Sequence, residues 1–183
     1  MYDIIYCDPP WDYKGQTQHS GKDGKGTGGA INHYPVLTLD KLKLLNIQKI
    51  ANKNSLLFMW TSSPHLDQAI DLMKSWGFKY TTIAFVWDKQ KLNPGYYTMS
   101  QIEICLVGKM GKIPDRRGSR KERQLVSEVR KEHSTKPDAV RDRIKLMFPE
   151  HRKIELFARQ KTDGWDVWGN EVDKDIEIEV RNE

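Results

Sequence analysis

The run Tyr2-Asp3-Ile4-Ile5-Tyr6-Cys7 is rich in aromatic and β-branched residues, and Asp8-Pro9-Pro10 ends it at once. Proline carries no backbone N–H and fixes φ, so a sheet strand cannot continue through two of them. The chain therefore opens with a buried strand that stops abruptly on an acidic side chain. Such a strand needs neighbours, and the rest of the sequence supplies them.

Ser55–Trp60 reads as a second buried strand. Pro64 then starts a helix with Leu66, Ala69, Ile70, Met73 and Trp76 at helical spacing, closed by Gly77. Phe78–Trp87 and Ile102–Val107 are further strands, separated by the turn-rich Asn93-Pro94-Gly95-Tyr96-Tyr97. Thr38 or Asp40 caps a short helix carrying Leu39, Leu42 and Leu45. Pro137-Asp138 opens another through Val140, Ile144 and Met147, followed by a strand over Lys153–Ala158. Strands alternating with helices imply an α/β fold with a mainly parallel sheet. The 183 residues suit one domain, taken as 1–170, with the acidic 171–183 as an appended strand or loose tail. No apolar run approaches the roughly 20 residues that span a bilayer, and no signal peptide opens the chain, so a cytoplasmic location is expected. Cys7 and Cys105 lie far apart without metal-ligand spacing, and each reads as a buried reduced thiol.

Charge is unevenly spread. The net +5 conceals an acidic end, and Lys109–Lys131 holds nine Lys or Arg against three Asp or Glu. Clustered positive charge attracts phosphate backbones and releases their counterions. Arg116, Arg117, Arg120, Lys121 and Arg123 are the candidates for phosphate contacts, the alternative being a solvated basic loop. From Lys14 to Ala30 the chain is rich in Gly, Lys, Ser and Thr, which argues for a surface loop. Gly24-Lys25-Gly26-Thr27-Gly28-Gly29 fits a dinucleotide fingerprint in letters only, because no strand precedes it and no clear helix follows.

Ligands of open α/β sheets bind beyond the carboxyl ends of strands, which is where Asp8-Pro9-Pro10-Trp11 lies. A carboxylate followed by a proline carbonyl offers two acceptors for the two hydrogens of an aromatic amine. An adenine N6 amine is a weak nucleophile that must be oriented in this way. Trp11 offers a ring on which a flipped base can stack.

In these residues the chain resembles the MT-A70 family of adenine-N6 methyltransferases, and the likeness continues past the tetrapeptide. It includes His33-Tyr34-Pro35, Leu45-Asn46-Ile47, Leu57-Phe58-Met59-Trp60, Glu103-Ile104-Cys105-Leu106-Val107-Gly108 and Glu128-Val129-Arg130. Lys136-Pro137-Asp138, the stretch from Arg152 to Arg159, and Trp168-Gly169-Asn170 complete it. The resemblance implies a Rossmann-like methyltransferase domain with circularly permuted motif order, the catalytic motif first and the cofactor motif last. It implies S-adenosyl-L-methionine as cofactor and no metal. Asp8, Pro9, Pro10 and Trp11 would be catalytic and Tyr34 would close one side of the base pocket. Asp8 would border the cofactor, Lys136 would meet its carboxylate, Arg159 its ribose, and Asn170 its ribose and adenine. The expected partner is nucleic acid, DNA before RNA, with a homodimer and a catalytically silent partner subunit as further readings.

Overall fold

The computed structural model describes residues 1–11, 37–95, 97–129 and 135–181. Tyr34, His33, His133, Arg130 and the glycine-rich loop lie outside them.

Among the described residues one seven-stranded sheet is built from β1 (Tyr2–Cys7), β2 (Ala51–Thr61), β3 (Lys79–Asn93), β4 (Ser100–Met110), β5 (Leu125–Ser127), β6 (Lys153–Leu156) and β7 (Asp166–Trp168). The spatial order is β5-β3-β4-β2-β1-β6-β7. β1 lies between β2 and β6, parallel to both, and β7 and β5 join in parallel to β6 and β3. β4 alone runs against its neighbours. The sheet is thus mostly parallel, as expected.

Among the described residues the α-helices are α1 (Leu39–Leu44), α2 (Leu66–Ser75) and α3 (Asp138–Met147). They cover both faces, and the alternation of side chains along a strand sorts the core accordingly. Ile5, Cys7, Leu57 and Met59 pack with Leu42, Leu72, Met73 and Trp76 on one side. Ile4, Tyr6, Phe58 and Trp60 pack with Val140, Ile144 and Phe148 on the other. A strand covered on both faces must be apolar where it is covered, which explains the run Ile4-Ile5-Tyr6-Cys7 in β1, with the charged Asp3 only partly buried near its amino end.

Thr38 is the cap of α1, its side chain accepting from the Lys41 amide. Pro64 enters a short 3₁₀ turn, Ser63–His65, that leads into α2. β3 and β4 extend well beyond the expected segments. β6 is shorter than expected, because Phe157 turns the chain with φ 58°. The three-residue β5 and β7 carry too little periodicity to be read from sequence. Residues beyond Asn170 run back across the molecule: Asn46 N donates to Glu179 O, Arg181 N to Leu44 O, and Val180 bridges Leu45. Both cysteines are free and buried. Among the described residues no helix is long and apolar enough to cross a membrane.

Candidate active site

Asp8 leaves β1 at the carboxyl end of the parallel strands, and β3, β4 and β6 bring the charged residues Lys89, Glu103 and Glu155 to this end of the sheet. The Asp8 Oδ2 atom lies 2.7 Å from Lys136 Nζ, just before α3. Lys136 also lies 3.1 Å from Glu103 Oε2 on β4, and Glu103 Oε1 lies 3.4 Å from Lys89 Nζ on β3. These form a ladder of alternating charge, Asp8–Lys136–Glu103–Lys89, in which the side chains of Lys136, Glu103 and Lys89 are 10%, 14% and 7% exposed. Asp8 keeps 31% of its side chain accessible and is the open rung.

Burial pushes the Asp8 carboxyl above its ordinary value, against the downward pull of Lys136. For Glu103 burial acts in the same direction, but Lys136 and Lys89 together hold it below the usual range. Lys136 would lose its proton more easily by burial alone, yet Asp8 and Glu103 raise its pKa. Its ammonium, 5.9 Å from the Trp60 ring centroid, is therefore fixed as a cation.

A second buried cluster stands behind the first. Arg141 of α3 places Nη1 2.7 and 2.9 Å from the two Glu155 oxygens and also pairs with Asp138. Its guanidinium lies 6.0 Å from the Tyr6 ring centroid. Tyr6, Asp8, Lys136, Arg141, Glu155, Phe157, Arg159 and Gln160 line one cleft. Phe157 takes its left-handed conformation there, which an aromatic residue adopts at some cost, and its ring meets Trp168 edge-on at 5.4 Å.

The Pro9 carbonyl accepts the Trp11 amide at 2.9 Å, a tight turn about Pro10. A carbonyl has two lone pairs, so one acceptor site of Pro9 is still available. Trp11 differs from expectation. It is 5% exposed, its Nε1 donates to Trp60 O at 3.1 Å, and its ring stacks on His65 at 5.9 Å. The open stacking face expected of Trp11 is thus taken up by packing, and the side chain instead fixes the backbone that follows Asp8.

Arg159 follows β6 and pairs with Glu171 at 3.7 Å, while Asn170 is exposed just after β7. Both stand at the same end as Asp8, one and two strands away. Gly169 lets the backbones of these two connections cross, since a Cβ there would sit 2.2 Å from Ala158 O.

The basic stretch does not gather at this end. Arg116 pairs with Glu150 and lines a surface cavity of about 410 Å³ with Asp3 and Asn52, at the amino ends of the parallel strands. Arg117 lies over Phe148, 5.4 Å from its centroid. Both are beside the far end of α3, a helix about 15 Å long whose other end carries Asp138. Arg120 and Lys121 are exposed on the ascent that follows. Arg123 comes highest, where Gln124 O accepts from Val86 N at the foot of β5. The five cations therefore form no single cluster but a strip running along α3, because β4 descends and delivers the start of the loop to the end of the sheet opposite Asp8.

Sequence reasoning missed Glu103 and Lys89 as site residues. For Glu103 the signal was present as a charged position inside an otherwise apolar strand, whereas Lys89 lies in the polar run Asp88-Lys89-Gln90-Lys91 beyond the expected strand, and without the antiparallel course of β4 nothing brought either toward Asp8.

The matching of this chain with known proteins agrees with the geometry. Residues 2–171 match the family model described as MT-A70. The Type II methyltransferase M.MunI of a Mycoplasma species is 47% identical over 193 aligned positions, spanning all of this chain and 83% of that protein. An N(6)-adenosine-methyltransferase MT-A70-like protein of Arabidopsis thaliana is 26% identical over 93% of this chain but only 24% of its own length. The human N(6)-adenine-specific methyltransferase METTL4 is 26% identical over 93% of this chain and 37% of its own length. With the family model matching residues 2–171 and a bacterial relative 47% identical across the whole of this chain, the chain belongs to the MT-A70 family of methyltransferases.

Proposed function

We propose that this protein methylates the N6 amine of adenine in DNA, with S-adenosyl-L-methionine as methyl donor. The observation that carries the reading is the half-open Asp8 carboxylate at the carboxyl end of β1, held by buried Lys136 and followed by a proline carbonyl with a lone pair to offer.

The cleft suits the cofactor's chemistry. An ammonium has three N–H donors, and Lys136 uses two of them on Asp8 and Glu103, which leaves one for a carboxylate. Arg159 and Gln160 offer guanidinium and amide groups suited to ribose hydroxyls, and exposed Asn170 offers another amide. The bound cofactor supplies a methyl group on a sulfonium, an electrophile.

Asp8 and the Pro9 carbonyl accept the two amine hydrogens and aim the nitrogen lone pair. Lys136 keeps Asp8 in place, and Glu103 and Lys89 keep Lys136 in place. Orientation of this kind converts an encounter into an intramolecular reaction, and fixed charges in a dry site add to it. The raised pKa of Asp8 makes it a better acceptor for the proton that the methylated amine releases. Trp11, locked against His65 and Trp60, prevents the turn from drifting.

DNA is preferred over RNA because the 47% identical relative, 83% of which this chain spans, is a Type II methyltransferase. Transfer of a tritiated methyl group to matched DNA and RNA oligonucleotides tests this, with identification of N6-methyladenine in the product. DNA labelling that disappears when adenine is replaced is the expected result. Labelling confined to RNA would move the assignment to the other substrate, and no labelling of either would overturn it.

A further inference from the structure

The β3–β4 hairpin outgrows the sheet. β4 is flanked by β2 only as far as Ile104, and β3 by β5 only as far as Asp88, yet β3 and β4 still pair at Asn93 and Ser100. Asp8 leaves β1 one residue after the Cys7–Met59 pair, at the level of Trp60 and its partner Cys105. The five residues from Cys105 back to Ser100 lift the ribbon about 17 Å above that level, before its turn is counted. Its strands stand two and three places from β1, so the ribbon rises beside the open side of Asp8, roughly 10–15 Å away.

This ribbon is held stiff at its root. Asp88 Oδ1 accepts from the Gln90 amide at 2.9 Å and from Gln101 Nε2 at 2.7 Å, and Gln90 sits at φ 51° in the irregular pairing between Asp88 and Asn93. Lys89 turns inward to Glu103, joining the root to the charge ladder. Beyond the root the side chains face solvent: Lys91 is exposed, Leu92 and Met99 are more than half exposed, and Tyr97 is fully exposed.

We propose that the ribbon is the duplex-reading element of the enzyme and enters the major groove of the DNA whose adenine is delivered to Asp8. This rests on the function proposed above. A two-stranded ribbon fits the major groove of B-form DNA, about 12 Å wide and 8.5 Å deep, so the projecting length is sufficient. The side chains have the chemistry that reading requires. Gln90 and Asn93 carry amides that pair with adenine edges, Lys91 is a cation for guanine or phosphate, and Tyr97 is a ring for packing on thymine methyls or a step opened by flipping. The deep, narrow major groove of A-form RNA does not admit such a ribbon, so the proposal also favours DNA.

The test compares wild type with Lys91→Ala/Asn93→Ala and with Tyr97→Ala, positions outside the core and outside the left-handed Gln90. Methyl transfer is measured against duplex and single-stranded oligonucleotides, with cofactor affinity by calorimetry, DNA affinity by gel shift and mass by sedimentation. The expected result is a rise of at least tenfold in duplex KM, smaller for single strands, with kcat changed less than threefold and cofactor affinity retained. Unchanged duplex KM and gel-shift affinity would overturn the proposal while leaving the methyltransferase assignment intact. A loss of self-association with duplex affinity preserved would also overturn it, by making the ribbon a contact between protein copies. Should wild type methylate no DNA, the function reading fails, and equal gel-shift affinities of wild type and variants would then remove the ribbon proposal as well.

Discussion

Lys136 Nζ stands 2.7 Å from Asp8 Oδ2 although the two residues are 128 positions apart in the chain. The loop entering α3 carries the cation, and the strand that begins the fold carries the carboxylate. Four predictions follow from this pairing and its surroundings.

Activity should rise with pH through an apparent pKa above the ordinary aspartate value of about 3.9, because burial raises Asp8. The protonated acid can no longer take up the proton that the methylated amine releases and accepts the amine hydrogen more weakly than the carboxylate does, so the rate falls below that pKa. Lys136 pulls the Asp8 pKa down, so Lys136→Ala should move the acid limb to higher pH. Asp8→Ala should lower turnover by two to three decades. Steady-state profiles of the three proteins check this, and a limb that stays in place in Lys136→Ala would contradict it.

Glu103→Ala should destabilise the fold by about 3 kcal/mol, since it leaves Lys89 and Lys136 buried with one partner fewer. Glu103→Gln should recover part of this through hydrogen bonding. For a chain of this size the alanine variant corresponds to a Tm lower by roughly 10 °C in a thermal melt.

Trp11→Phe should retain methyl transfer within several-fold, whereas Trp11→Ala should cost about 3–5 kcal/mol of stability, because the ring fills core space against His65. A stacking platform would behave differently, with substrate KM falling in rank with ring size at constant stability. Urea unfolding and KM on the same preparations separate the two.

Replacing Arg116 and Arg117 together by serine should leave the slope of log DNA affinity against log salt unchanged, because both stand at the opposite end from Asp8. Loss of the Arg117 contact with Phe148 should cost about 1 kcal/mol of stability. Binding isotherms at several salt concentrations make the comparison, and a slope reduced by one unit or more would return these arginines to the DNA interface.

Much of the architecture was readable because its causes are local. The apolar run Ile4-Ile5-Tyr6-Cys7 in β1, the prolines that stop it, the cap at Thr38 and the helical spacing in α2 and α3 each act within a dozen residues. The three-residue β5 and β7 were not readable, since each owes its pairing to one long neighbour. The length of β3 and β4 was underestimated for a related reason. Beyond Asp88 and Ile102 the strands stabilise each other rather than bury a core face, and their residues show no apolar pattern.

The sequence alone determined the position and identity of the acidic residue at the end of the first strand, because two prolines fix where that strand must stop whatever surrounds it. It also determined, through the spacing of apolar residues, that strands and helices alternate. Tertiary structure decided which charges meet that residue. β4 runs antiparallel, so Glu103 is carried up to Lys136 and the following basic loop is carried down and away, with Arg116 and Arg117 ending on the far side. Strand direction depends on which edges find partners, a property of the whole sheet that local sequence does not encode.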